Sequence, residues 1–103
     1  MQGSFFHLLG LCQRAGKVAS GDQAVRDNLH KGKVKLLLVA TNTSERIKKD
    51  YLRMAEQKKI PVSLAFTKEE LGQAMGKSPR AAVAILDDNF ARGMAGLLEK
   101  GEM

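Results

Sequence analysis

The sequence predicts an α/β protein: a three-layer α/β/α sandwich around a mixed sheet of about four strands, with helices on both faces. Two observations predict it. Leu36–Ala40 and Ala81–Leu86 are short apolar runs without alternation, the pattern of strands buried on both faces. Segments with apolar residues at helical spacing alternate with those runs along the chain. A length of 103 residues suits one domain, 1–103, with a sizeable core.

The elements follow in order. Phe5, Leu8, Leu9 and Cys12 recur at helical spacing and predict a first helix from Ser4 to Ala15, stopped by Gly16. Lys17 to Ala19 reads as a short extended piece. Ser20 reads as the cap of a second helix, with Gln23 completing an S-x-x-Q capping box. That helix is expected to turn Ala24, Val25 and Leu29 inward and to end at Gly32. After the strand over Lys35–Ala40, Asn42 and Glu45 are expected to open a third helix. Its inner stripe is Ile47, Tyr51, Met54 and Ala55; Arg46, Lys48, Lys49 and Arg53 lie outside.

Ile60–Phe66 is expected to be a second strand, entered through Pro61. Thr67 and Glu70 form a T-x-x-E capping box for a short helix that buries Leu71, Ala74 and Met75 and ends at Gly76. The loop Gly76–Arg80, GKSPR, is basic and precedes the strand Ala81–Leu86. Asp87 and Asp88 start the last helix, with Phe90, Met94, Leu97 and Leu98 inside. Gly101 to Met103 are expected to fray.

Constellations for catalysis are missing from this pattern. Cys12, the only cysteine, sits on an apolar stripe, so no disulfide or thiolate metal site is expected and a core role fits it. His7 and His30 have no Cys or carboxylate at ligand spacing, and Asp87–Asp88 has no third carboxylate nearby in sequence. The GKS at Gly76–Ser78 resembles the tail of a P-loop, but Leu71 stands where the first glycine belongs. That GKS also follows a helix and precedes a strand, the reverse of a P-loop. No cofactor, no metal and no enzymatic activity are expected. No leader or membrane-spanning segment is visible, which makes the cytoplasm the expected location.

What remains is charge. Seventeen Lys and Arg face 11 acids, a formal +6, and in so small a chain this points to an anionic partner, RNA first. Arg14, Lys17, Arg26, Lys31, Lys33 and Lys35 crowd the segment around the second helix, and Lys77 and Arg80 mark the GKSPR loop. Four Phe and one Tyr, mostly at core-type positions, argue against stacking of unpaired bases. Contact to a shaped RNA through phosphates and a few base edges fits better.

The segments "RAGKVASG", "GKVKLLLVA" and "KEELGQAMGK" carry a resemblance. Over roughly Leu8 to Leu98 the chain resembles the kink-turn RNA-binding superfamily of ribosomal proteins L7Ae and L30e, and within it the stand-alone bacterial members. The resemblance implies an α/β/α sandwich and a non-enzymatic RNA-binding function. It implies two contact segments, the start of the second helix and the loop before the last strand. The candidate residues are Lys17, Gly21, Asp22, Gln23 and Arg26 on the first, and Lys77, Ser78, Pro79, Arg80 and Ala81 on the second. The basic knot Lys31, Lys33 and Lys35 is placed to neutralise bent-backbone phosphates.

The implied partner is structured RNA, ribosomal RNA or another kink-turn-containing RNA, with the ribosome as a candidate setting; apart from the resemblance, no membrane partner is expected and a monomer is the default expectation. Archaeal and eukaryotic members open this helix with Gly-x-Asn-Glu and place a Lys one turn later. Counting back from Gly32, those positions hold Gln23, Ala24 and Asp27. Gln23 keeps hydrogen-bonding capacity, Ala24 loses the carboxylate, and Asp27 reverses the charge. A ribosome- or ribonucleoprotein-associated interaction module with only general RNA affinity is the alternative.

Overall fold

A computed structural model describes residues 3–100; the fraying expected at Gly101–Met103 lies outside them. The elements are α1 (Gly3–Arg14), β1 (Val18–Ser20), α2 (Asp22–His30), β2 (Leu36–Val39), α3 (Glu45–Lys58), β3 (Val62–Ser63), α4 (Lys68–Ala74), β4 (Ala82–Ile85) and α5 (Asp88–Glu99). They build a four-stranded mixed sheet in the order β1-β4-β2-β3. β4 runs antiparallel to both β1 and β2, and β2 runs parallel to β3.

β2 and β4 are buried at every position, as their unbroken apolar runs predict. Pleating splits each strand between two cores. Leu36, Leu38, Val83 and Ile85 meet Phe5, Leu9, Leu71 and Met94 of α1, α4 and α5. Leu37, Val39, Ala82 and Ala84 meet Val25, Leu29, Tyr51 and Ala55 of α2 and α3. Each large side chain so enclosed contributes roughly 1.5–3 kcal/mol. These two apolar layers hold the three-layer sandwich together.

Several local expectations hold. Thr67 Oγ1 accepts from the Glu70 N–H while the Glu70 carboxylate accepts from the Thr67 N–H, so the capping box is closed. Asp87 caps α5, accepting from the Phe90 N–H at 3.0 Å. Met94 is fully buried, and Phe90, Leu97 and Leu98 pack at its side.

Others need correction. Ser20 does not cap α2. It pairs with Val83 at the end of β1, and its hydroxyl accepts from Arg80 instead of from a helix amide. Gly21 takes the N-cap position at φ 90°, with no side-chain cap bond, so the S-x-x-Q capping box does not form. Ala24 faces solvent; only Val25 and Leu29 bury. Ser44 rather than Asn42 caps α3, accepting from the Ile47 N–H at 3.2 Å. Asn42 turns instead to α4, accepting from the Lys68 N–H and donating to Glu69, both at 2.8 Å. The strand expected over Ile60–Phe66 shrinks to the two residues of β3, half-buried at the sheet edge. Phe66 is apolar for another reason: its ring stacks within 4.7 Å of Phe5 and 4.9 Å of Phe6.

Gly72 is buried on α4 against the backbone of the GKSPR loop. A Cβ there would collide with the Ser78 carbonyl group and the Pro79 Cα. Gly72→Ala should therefore destabilise the protein by about 1–3 kcal/mol, the usual cost of overpacking. Urea denaturation checks this, and an unchanged midpoint would contradict the close approach.

Candidate nucleic-acid interface

The antiparallel pairing of β1 with β4 sets the Ser20 end of β1 beside the start of β4, through Ser20 opposite Val83. The chain enters β4 from the GKSPR loop and leaves β1 into α2. Both candidate segments thus meet at one end of the sheet. A side-chain bridge links them: Arg80 Nε donates to Ser20 Oγ at 3.3 Å, and Arg80 Nη1 to Ser78 Oγ at 2.8 Å. The Arg80 N–H also donates to the Lys68 carbonyl, tying the loop to the start of α4.

At this pole Gly21, Asp22, Gln23, Ser78, Pro79, Arg80 and Ala81 come together. Asp22, Gln23, Lys77, Ser78 and Pro79 are exposed. Only glycine adopts the φ of 90° at position 21 cheaply, and it lets α2 start directly at the strand end. No side chain caps the first-turn N–H groups of α2. Gln23 Nε2 donates to Asp27 at 2.9 Å on the exposed face of α2, a bond that water or a ligand could replace.

Arg26 and Asp22 are committed to partners within the protein, at its surface. Arg26 Nε donates to both Asp22 carboxylate oxygens, at 2.9 and 3.0 Å. The guanidinium lies 5.0 Å over the Tyr51 ring and 3.8 Å from Asp50. Tyr51 Oη donates to Asp22 at 2.6 Å. The hydrogen bond from Tyr51, then those from Arg26, hold the Asp22 carboxyl below the usual carboxylate range. Burial and the same bond push the Tyr51 hydroxyl up. This cluster ties α2 to α3. The i,i+4 spacing of Asp22 and Arg26 was readable in sequence, but their partners Asp50 and Tyr51 were not.

The remaining candidates lie elsewhere. Lys17 precedes β1 and Lys35 precedes β2, and both strand starts pair with Ile85 at the far end of β4. Lys31 caps the far end of α2, and Lys33 follows it. The structure therefore sets Lys17, Lys31, Lys33 and Lys35 at the opposite end of the sheet from Gly21 and the GKSPR loop. All four are exposed. A groove of about 390 Å³ lined by Phe6, His7, Gly10, Gln13, Arg14, Ala74 and Met75 contains none of the candidates. Cys12 is buried and its thiol is pushed up to about 11 by burial and then by Asp87, which suits packing rather than reactivity. Among the described residues no three His, Cys, Asp or Glu gather to hold a metal, and no helix is long and apolar enough to cross a membrane.

Residues 4–94 match the family described as ribosomal protein L7Ae/L30e/S12e/Gadd45. The chain belongs to this family. It is 33% identical over 95 residues to the RNA-binding protein YlxQ of Bacillus subtilis, across 92% of this chain and 95% of that protein. It is 32% identical to the YlxQ protein of Enterococcus faecium, across 90% and 89% of the two chains. The fold superposes with a TM-score of 0.87 on a solved protein of unknown function from Bacillus halodurans, 29% identical, covering 92% of this chain and 96% of that one. The family match and the likeness to the two YlxQ proteins agree with the sequence resemblance.

The Asp22 carboxyl is depressed in the folded state, so it contributes stability above the ordinary Asp pKa of about 3.9, and that contribution fades as pH falls below it. Asp22→Asn should be less stable than the parent protein at pH 7, with the gap closing below about pH 4. Chemical denaturation at pH 7 and pH 3 tests it; a gap independent of pH would remove the charged network from the account.

Proposed function

We propose that this protein is a non-enzymatic, single-domain RNA-binding protein over residues 1–103 that recognises a kink-turn or similar internal-loop RNA. The observation that carries the reading is the convergence of the α2 start with the loop before β4 at one end of the sheet, bridged by Arg80. Gly21 allows close approach, the uncapped α2 amides offer donors to phosphates or base edges, and Gln23 offers an amide to a base edge. Lys77 adds positive charge on the loop. Lys17, Lys31, Lys33 and Lys35 serve flanking backbone at the other end of α2. The YlxQ relatives are named RNA-binding proteins, and the family bears a ribosomal-protein name. The protein acts in the cytoplasm as a monomer, on ribosomal or other kink-turn-containing RNA.

Arg26, pinned by Asp22 and Asp50, favours a second reading in which specific base contact is weak and the protein is a ribonucleoprotein-associated interaction module. Affinity capture before and after nuclease treatment separates the two: a protein partner that survives nuclease supports the module.

The direct test compares a kink-turn RNA with the same RNA whose G·A pairs are made Watson–Crick. The parent protein should prefer the first, and equal binding would remove the kink-turn reading. Gln23→Ala should cut that preference about tenfold, within the ~1–3 kcal/mol of a base-edge contact. Its folding stability should change by less than about 0.5 kcal/mol, because Gln23 bonds only exposed Asp27.

A further inference from the structure

We infer that the outward face of α3, formed by Arg46, Lys49 and Arg53, is a second contact surface for RNA backbone phosphates, separate from the α2 start and the GKSPR loop. This rests on the RNA-binding reading but not on its kink-turn specificity.

The three cations stand at spacings of three and four along α3. At about 100° per residue they fall within roughly 60° of one another, on the side opposite buried Tyr51 and Ala55. All three are exposed. Among the described residues Arg46 and Lys49 form no ion pair. Arg53 reaches Asp50 only at 3.8 Å, with Arg53 67% exposed, and Asp50 is shared with Arg26 at 3.8 Å. Such a pair is too weak to hold the guanidinium against a phosphate.

The contrast with α2 decides the matter. α2 carries Asp22 and Asp27 against a single Arg26, and Arg26 is already paired twice. α3 carries five cations against three acids. α2 and α3 lie side by side and run in the same direction, through Tyr51 to Asp22, Arg26 to Met54 and Lys58 to the His30 carbonyl. The positive charge of this helical layer therefore resides on α3, next to the helix whose start is the candidate interface. Arg46, Lys49 and Arg53 offer that charge to the backbone of an RNA that extends past the α2 start onto the outward side of α3. Their contribution is counterion release, which is independent of sequence. It supplies affinity where Ala24 and Asp27 leave α2 poor in polar or cationic contacts.

The test uses the full chain and the triple variant R46Q/K49Q/R53Q. Binding is measured from 0.05 to 0.3 M KCl, a range of about sixfold, on a kink-turn RNA and on a plain RNA duplex of equal length. The log–log salt slope should fall by about 2 to 3 on both RNAs, at 0.7–0.9 per lost phosphate contact. Binding at 0.1 M salt should weaken about ten- to a hundredfold, with the ratio between the two RNAs unchanged. A thermal melt confirms that the variant folds, since all three residues are exposed. Parent-like affinity and slope in the triple variant would overturn the proposal and show a solvated basic face. A flattened slope in a protein without kink-turn preference would uphold it while removing the kink-turn reading. Failure of the parent protein to bind either RNA would overturn both.

Discussion

The antiparallel pairing of β1 with β4 is the constraint on which the rest of the molecule depends. β4 is central and buried, so it must find hydrogen-bond partners on both edges. β2 covers one edge and the three-residue β1 covers the other. Because β1 runs against β4, its end meets the beginning of β4. The loop before β4 and the helix after β1 become neighbours, although Ser20 and Arg80 lie 60 residues apart in sequence. The buried Gly72 then lets α4 press against Ser78 and Pro79, which shapes the loop. A candidate binding surface arises as a consequence of sheet topology and close packing.

Charge is distributed by the same packing. The layer of α2 and α3 buries Tyr51 in the core it shares with β2 and β4, and the Tyr51 hydroxyl must find an acceptor at the edge of that core. Asp22 supplies it, and Arg26 closes the pair while stacking on the ring. Little unpaired positive charge is left on α2; the cations of α3 and the lysines at the far end of the sheet carry it. Two poles and one helix face share the positive charge, which is why the net +6 alone says little about where a partner binds.

Much of this was legible in the sequence. The strands β2 and β4 announced themselves as unbroken apolar runs, and the T-x-x-E box and Asp87 cap are local bonds spanning three residues. Errors fell where a local signal met a distant partner. Ser20 looks like a cap but is claimed by Val83 across the sheet. Asn42 looks like the cap of α3 but bonds to Lys68 and Glu69, 26 and 27 residues away. Phe66 extended the apparent strand because it is apolar, yet its ring belongs to an aromatic cluster with Phe5 and Phe6.

The alternation of helices and strands, the family, the basic character and the two candidate segments are all written in the linear chain. Those properties are carried by periodicity, composition and short spacings, each of which acts within a few residues. Tertiary structure alone decided which of the candidates share a surface. It set Gly21, Gln23 and Arg80 together, separated them from Lys31, Lys33 and Lys35, and tied Arg26 to Asp50. The reason is physical: strand direction and register place residues that are far apart in the chain, and no local pattern encodes which buried strand will claim a given edge.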